Sequence, residues 1–121
     1  MMTEPDARDL LPLSPQALEV LLALAQGPAH GYALIERVWS QSDGIVVLGS
    51  STLYATLHRL AQDGLVEDTG RAGERSGGPP RRVFRITGLG RRVASLEVAR
   101  LRRTVAVASK RLPGRAAGGR G

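Results

Sequence analysis

The chain has 121 residues, a length that favours one domain, and 42% of them are hydrophobic but only 3% aromatic. It contains no cysteine, which excludes disulfides and thiolate metal sites and fits a reducing cytoplasm. No apolar stretch approaches the roughly 20 residues that cross a bilayer, and the acidic N-terminus does not resemble a signal peptide. We therefore expect a cytoplasmic protein without membrane contact.

The net charge of +6 is unevenly distributed along the chain. Residues 1–70 carry 3 arginines and 9 acidic residues, whereas residues 71–121 carry 14 basic and 2 acidic residues. This asymmetry predicts a polyanionic partner for the second half of the chain. A GC-rich coding sequence is an alternative explanation for the preference of arginine over lysine, but it explains the uneven distribution less easily.

The N-terminal part of the chain predicts a disordered lead followed by two helices. Residues 1–12 are acidic and contain two prolines, a composition typical of disorder. Ser14 is suited to cap the first helix, and Pro15 is suited to its first position. A second helix is predicted over residues 30–40, and the short apolar run at residues 45–48 is predicted to form a strand.

Residues 49–65 predict the helix around which the rest of the chain is arranged. Ser50 or Ser51 can cap its start, and Gly64 can end it by adopting the left-handed conformation. One face is small, hydroxylic and carries a single arginine, which suits insertion into a DNA major groove. The opposite, buried face is predicted to consist of Leu53, Leu57 and Leu60.

The polar face of this helix supplies the first group of predicted DNA contacts. Hydroxyl groups and free N–H groups at the helix N-terminus can hold phosphate, and Arg59 is the candidate for a guanine contact. Tyr54 can contact DNA or pack inward, and an ordinary solvated helix face is the alternative for the whole segment. The predicted contacts are Ser50, Ser51, Thr52, Tyr54, Thr56 and Arg59.

A β-hairpin is predicted to follow, with strands at residues 65–68 and 81–87. The loop between them, residues 70–80, is rich in glycine and proline. Its basic tip is predicted to contact DNA phosphates, with a solvated basic loop as the alternative. The arginines assigned to these contacts are Arg71, Arg75, Arg81 and Arg82.

Thr87 is predicted to cap a last helix over residues 88–112. An apolar heptad seam runs along this helix, and such a seam needs a cover, so it predicts dimerisation. Packing of the helix on its own domain is the alternative. Residues 113–121 are predicted to be a disordered tail. The seam assigned to dimerisation consists of Ala94, Val98, Leu101, Val105, Ala108 and Leu112.

The predicted order of elements is that of a mainly α fold with a small β-hairpin wing, the winged helix-turn-helix plan. Five segments also resemble the PadR family of bacterial transcriptional regulators in order and spacing. They are HGY at residues 30–32, GSSTLY at 49–54, LHRL at 57–60, GLV at 64–66 and PRRVFRIT at 80–87.

This resemblance implies a homodimeric repressor that binds a palindromic double-stranded operator. It implies a winged helix-turn-helix domain at residues 13–87, a dimerisation helix at residues 88–112 and possible control by a small-molecule effector. Ala55 and Thr56 stand where the family often has proline. The last helix lacks the aromatic residue against which some relatives hold flat ligands. We place a candidate effector pocket between the last helix and the first two, near Trp39.

The sequence shows no nucleophile–base constellation, so we expect no enzyme activity and no cofactor. With only His30 and His58 and no cysteine, nitrogen or sulfur ligation of a metal is not expected. The alternative function is a winged-helix protein–protein or RNA-binding module without sequence-specific DNA recognition, because a fold does not by itself imply DNA binding.

Overall fold

The computed structural model describes residues 6–72 and 81–114, in which four α-helices surround a three-stranded antiparallel sheet. This arrangement confirms the predicted winged helix-turn-helix plan. The elements in chain order are α1 (Pro15–Ala25), β1 (Ala29–His30), α2 (Gly31–Gln41), α3 (Ser50–Gln62), β2 (Val66–Ala72), β3 (Arg81–Ile86) and α4 (Gly88–Arg111).

The two ends of α1 are satisfied by different kinds of contact. At the start, Ser14 Oγ accepts a hydrogen bond of 3.0 Å from the Ala17 amide, which confirms the predicted cap. At the end, the Arg37 guanidinium of α2 donates to the carbonyl oxygens of Ala23, at 3.1 Å, and Gly27, at 2.8 Å. Both carbonyls lie at or just beyond the C-terminal end of α1, so Arg37 ties α2 to that end of the helix.

Residues before α1 differ from the predicted disordered lead. Ala7–Leu10 form a short 3-10 helix that begins with a hydrogen bond from the Arg8 amide to Asp6 Oδ1. Ala7 is buried, and this turn packs against α4. The prediction for residues 1–12 therefore needs correction over residues 6–12, because burial against α4 outweighs their polar composition. Residues 1–5 lie outside the described ranges.

The sheet has the strand order β1–β3–β2, with both pairings antiparallel. Ala29 and His30 of β1 pair with Phe84 and Val83 of β3, a contact that the sequence did not predict. The hairpin strand β2 is longer than expected and reaches Ala72, with a bulge between Asp68 and Gly70.

The strand predicted at residues 45–48 is wrong. The Val46 amide donates instead to Ser42 Oγ, at 2.9 Å, so the segment is a loop closed by a side chain. Ile45 and Val47 are 82% and 69% exposed, whereas Leu48 enters the core. The apolar run therefore supplies one core residue and an exposed patch, and the third strand comes from residues before α2.

The core is aliphatic apart from Phe84, as the composition leads one to expect, and lies where the helices meet the sheet. The predicted inner face of α3 is confirmed, because Leu53, Leu57 and Leu60 are each at most 2% exposed. Gly64 ends this helix with φ +77°, and the Leu65 amide donates to the Leu60 carbonyl at 2.9 Å.

The start of α4 is anchored to the hairpin. Thr87 Oγ1 accepts from the Gly90 amide at 3.0 Å, which confirms the predicted cap, and donates to the Gly64 carbonyl at 2.6 Å. Gly90 lies so close to the residue before β2 that a Cβ there would stand 2.2 Å from the Leu65 carbonyl oxygen. The helix ends at Arg111, within one residue of the prediction. Residues 115–121 lie outside the described ranges.

Candidate nucleic-acid interface

The N-terminus of α3 differs from the predicted cap in a way that matters for anion binding. Gly49 is the N-cap, and no side chain hydrogen-bonds to the first turn. Ser50 and Ser51 lie inside the helix because the ladder begins one residue earlier, with the Leu53 amide donating to the Gly49 carbonyl at 2.9 Å. The first-turn N–H groups and both serine hydroxyls are thus left available for an external acceptor.

The predicted contact residues of α3 fall into three groups. Ser50, Ser51 and Thr52 are exposed around the first turn. Thr56 is half-buried, and its hydroxyl donates to the Thr52 carbonyl at 2.8 Å, which leaves its oxygen free to accept. Arg59 is exposed in the last turn, and no carboxylate of the described residues forms an ion pair with it.

Tyr54 packs inward, one of the two alternatives that the sequence left open, while part of its side chain stays exposed. Its ring packs edge-on against Phe84 of β3, with the centroids 6.2 Å apart. Its hydroxyl lies over Gly31, where a Cβ would stand 2.3 Å from the oxygen. The side chain is nevertheless 45% exposed. Tyr54 therefore connects α3 to α2 and to the hairpin while its remaining surface faces solvent.

The stem of the hairpin is less basic than its sequence suggests. Arg82 forms an ion pair with Asp68, and Arg85 forms one with Glu67 at 2.8 Å. Both pairs are exposed to solvent, so each contributes less than about 1 kcal/mol to stability. Arg75 lies outside the described residues, and only the backbone of Arg71 and Arg81 is described, at the end of the stem.

The predicted dimer seam divides into a covered and an uncovered part. Ala94 is 7% exposed because it packs on its own domain, so the structure removes it from the free surface. Val98 and Leu101 are half-buried, as is Ala108. Val105 and Leu112 are 62% and 75% exposed. The structure thus leaves the seam open from Val98 onward.

Glu97 is the residue that sequence reasoning missed. It is 1% exposed, accepts from the Leu13 amide at 3.1 Å and pairs with Arg100 at 2.6 Å. The hydrogen bond from Arg100 holds the pKa of the Glu97 carboxyl below its usual value, against the opposing effect of burial. The sequence signal that could have identified Glu97 is that it is the single acidic residue of a basic helix.

Two separate grooves replace the pocket predicted near Trp39. One, of about 310 Å³, lies between α1 and α4 and includes Leu22, Val98 and Arg102. The other, of about 360 Å³, is bordered by Trp39 and Val47 and does not include α4. The single predicted pocket was wrong because α1 and α4 form a groove of their own, without Trp39.

A helix-turn-helix pair with an exposed polar second helix, beside a β-hairpin, defines a winged-helix protein of the DNA-binding class. The model of the transcriptional regulator PadR-like family matches residues 20–96. The chain therefore belongs to the PadR-like family of transcriptional regulators, whose members are not enzymes. This confirms the resemblance seen in the sequence.

Solved structures of the same family agree with this assignment. A PadR family transcriptional regulator from Eggerthella lenta is 30% identical, with a TM-score of 0.63 over 89% of this chain and 86% of its own. A PadR family regulator from Clostridium difficile shares the fold at 18% identity, with a TM-score of 0.71 over 82% of this chain and 99% of its own. None of the curated proteins matches the chain.

Residues 6–72 and 81–114 contain neither a membrane-spanning helix nor a cluster of metal ligands. No helix in these ranges has the length and hydropathy needed to cross a membrane. The same ranges bring together no group of three or more histidine, aspartate or glutamate residues that could hold a metal ion.

Proposed function

We propose that the protein is a cytoplasmic, sequence-specific repressor that binds a palindromic operator as a homodimer and is released by a small-molecule effector. The observation that carries this proposal is the state of α3, whose apolar face is buried while its hydroxylic face and uncapped N-terminus remain free. A helix of 13 residues, about 20 Å long, fits the major groove.

The residues of α3 have distinct proposed tasks. Ser50, Ser51 and Thr52 hold a phosphate with their hydroxyl and N–H groups, which fixes the helix on the backbone. Arg59 reads guanine, since its guanidinium has no competing carboxylate among the described residues. Thr56 offers an acceptor oxygen, and the exposed edge of Tyr54 flanks the groove.

The wing supplies the sequence-independent attraction in this proposal. Arg71, Arg75 and Arg81 contact phosphates from the outer end of the hairpin, and Arg82 joins them by exchanging Asp68 for a phosphate. The exchange costs little, because exposed ion pairs are weak. Each such contact contributes about one unit to the dependence of log affinity on log salt.

The homodimer forms along the uncovered seam of α4. Val98, Leu101, Val105, Ala108 and Leu112 meet the same residues of a second copy, whereas Ala94 remains inside its own subunit. A twofold interface of this kind places two α3 helices on half-sites about one helical turn apart.

We place the effector in the groove between α1 and α4. Val98 lines this groove and also belongs to the dimer seam, so an occupant that moves α4 changes the separation of the two α3 helices. The effector releases the operator if it binds the dimer with the altered helix separation more tightly than it binds the dimer that fits DNA.

Selection of bound sites from genomic DNA, followed by footprinting, tests the proposed function. We expect a footprint with twofold symmetry, and affinity for the selected site at least about a thousandfold above that for random duplex. Titrations of selected duplex, random duplex and RNA over a salt series complete the test. Equal affinity for all three would contradict sequence-specific binding and favour a general nucleic-acid or protein-binding module.

A further inference from the structure

The outward face of α2 carries large exposed side chains that the DNA-binding surface does not use. Tyr32, Glu36 and Trp39 follow each other at spacings of four and three, so they share one side of the helix. Tyr32 is 66% exposed, and Trp39 is 56% exposed. Trp39 is the single tryptophan of the chain, so leaving its indole in water forgoes an unusually large burial of apolar area.

Trp39 forms one wall of a groove, and the loop before α3 forms another. The groove has a volume of about 360 Å³ and is lined by Ile35, Glu36, Trp39, Val47 and Leu48. This volume lies within the range of small-molecule sites, which are mostly apolar with a few polar groups. It is too small for a folded partner.

The loop backbone passes beside the indole. A Cβ on Gly44 would stand 3.4 Å from the Trp39 ring, at ordinary van der Waals distance. Gly44 has φ +78°, and its amide donates to the Trp39 carbonyl at 2.8 Å. The loop backbone therefore restricts the indole on that side, which reduces the entropy lost when a ligand binds.

Charge selects the chemistry of the occupant. Glu36 is the charged residue of the described groove lining, and no cation of the described residues forms an ion pair with it. The neighbouring Arg37 directs its guanidinium to the carbonyls of Ala23 and Gly27 instead. A carboxylate beside an indole and three aliphatic side chains favours an organic cation with an apolar body, through charge pairing and cation–π attraction.

We propose that the groove at Trp39 binds hydrophobic organic cations. The groove is separate from the α1–α4 groove and from the polar face of α3. It borders the chain that positions α3, because Val47 and Leu48 come just before Gly49, the N-cap of that helix. The inference concerns ligand binding and does not depend on the proposed DNA function.

Trp39 fluorescence provides the test, because it is the only indole and lies in the site. The full chain is titrated without DNA with tetraphenylphosphonium, and separately with tetraphenylborate, an anion of nearly the same size and shape. We expect tetraphenylphosphonium to give a saturable shift of the emission to shorter wavelength. Tetraphenylborate should bind at least about threefold more weakly, although the net charge of +6 favours an anion elsewhere.

Variants separate this site from general adsorption. Glu36→Gln should weaken tetraphenylphosphonium binding about three- to fivefold and remove most of the preference over tetraphenylborate. Asp63→Asn changes the net charge equally on an exposed residue at the end of α3, and should leave both affinities unchanged. Trp39→Ala, followed by calorimetry, should weaken binding about tenfold.

Three results would overturn the proposal. The first is the absence of a saturable fluorescence change with tetraphenylphosphonium. The second is binding of tetraphenylborate that is equal to or tighter than that of tetraphenylphosphonium. The third is a Glu36→Gln variant that binds tetraphenylphosphonium with the affinity of the parent chain. Because no DNA is present, none of these results bears on operator recognition. Conversely, failure to find an operator would leave the fluorescence titration unaffected.

Discussion

The helices α3 and α4 are both amphipathic, but they use their apolar faces differently. In α3 the whole apolar stripe, Leu53 to Leu60, is covered by its own domain. In α4 the domain covers Val93, Ala94 and Glu97, while Val105 and Leu112 remain exposed. One helix therefore has its packing completed within the chain, and the other has it completed only in its first half.

The surfaces that remain free indicate two different kinds of partner. The free face of α3 is hydroxylic and carries Arg59, so it can replace the hydrogen bonds of a hydrated nucleic-acid groove. The free seam of α4 is aliphatic, so burial against another apolar surface stabilises it by about 25 cal/mol per Å². This difference supports DNA at α3 and a second copy at α4, and the following changes test the contrast.

The largest expected effect concerns the anchored half of α4. Gly90→Val would place a Cβ 2.2 Å from the Leu65 carbonyl oxygen and 2.8 Å from Ile86 Cγ1, which forces backbone movement. We expect a loss of about 3 kcal/mol of unfolding free energy, measured by chemical denaturation. The control is Gly88→Ala, since no atom lies within 4 Å of a Cβ there. Equal stability of the two variants would show that α4 is not held at Gly90.

The next effect concerns the free half of α4. Val105→Asp places a carboxylate on the exposed seam, and a twofold interface contains this carboxylate from both subunits. We expect the dimer dissociation constant to rise about 100-fold, while the stability of the monomer stays unchanged. Sedimentation equilibrium gives the measurement. Ala106→Asp adds the same charge at an exposed neighbour off the seam and should leave the dimer intact. Equal dissociation in both variants would argue for general charge repulsion.

A smaller effect is expected at the free face of α3. Arg59→Ala should weaken binding of the selected operator by about 1–3 kcal/mol while changing random-duplex affinity much less. Competition titrations at fixed salt measure both. Arg103→Ala removes the same charge from an exposed position of α4 and serves as the control. If the two variants lose operator affinity equally, Arg59 contributes charge and not base recognition.

The smallest effect concerns pH and the buried carboxylate of α4. Because the pKa of Glu97 is lowered in the folded state, its stabilising contribution is complete above its ordinary pKa of 4.5 and is lost as the pH falls through the folded-state value. Glu97→Gln should cost about 1 kcal/mol at neutral pH and reduce the loss of stability on acidification.

Denaturation curves at several pH values provide the measurement for Glu97. Glu67→Gln is the matched control, because its pair with Arg85 is exposed to solvent and should change the acid limb very little. An unchanged pH dependence in Glu97→Gln would show that the pair with Arg100 does not favour the folded state.

Much of the fold could be predicted because its signals are local. The caps at Ser14 and Thr87 and the left-handed Gly64 each involve residues within a few positions of one another, as does the stripe of α3. The predicted cap of α3, Ser50 or Ser51, differs from the observed Gly49 by one or two residues, because serine and glycine both suit that position and backbone geometry decides between them.

Part of the candidate site could not be predicted because it depends on distant contacts. Glu97 meets the amide of Leu13, 84 residues away in the chain, and this contact makes an acidic residue part of the interior. Sequence periodicity placed Ala94 on the dimer seam, but the packing of α1 against α4 encloses it. Periodicity tells which residues share a helix face and not what covers that face.

The sequence by itself determined the helices, their two-faced character and the family to which the chain belongs. Those properties follow from hydrogen bonds and side-chain spacings within one or two helical turns. Only the tertiary structure decided which apolar residues stay exposed, that Asp68 and Glu67 neutralise arginines of the wing stem, and that Trp39 borders a groove. These outcomes depend on contacts between segments that are distant in the sequence. The spacing of residues within one helix does not specify those contacts.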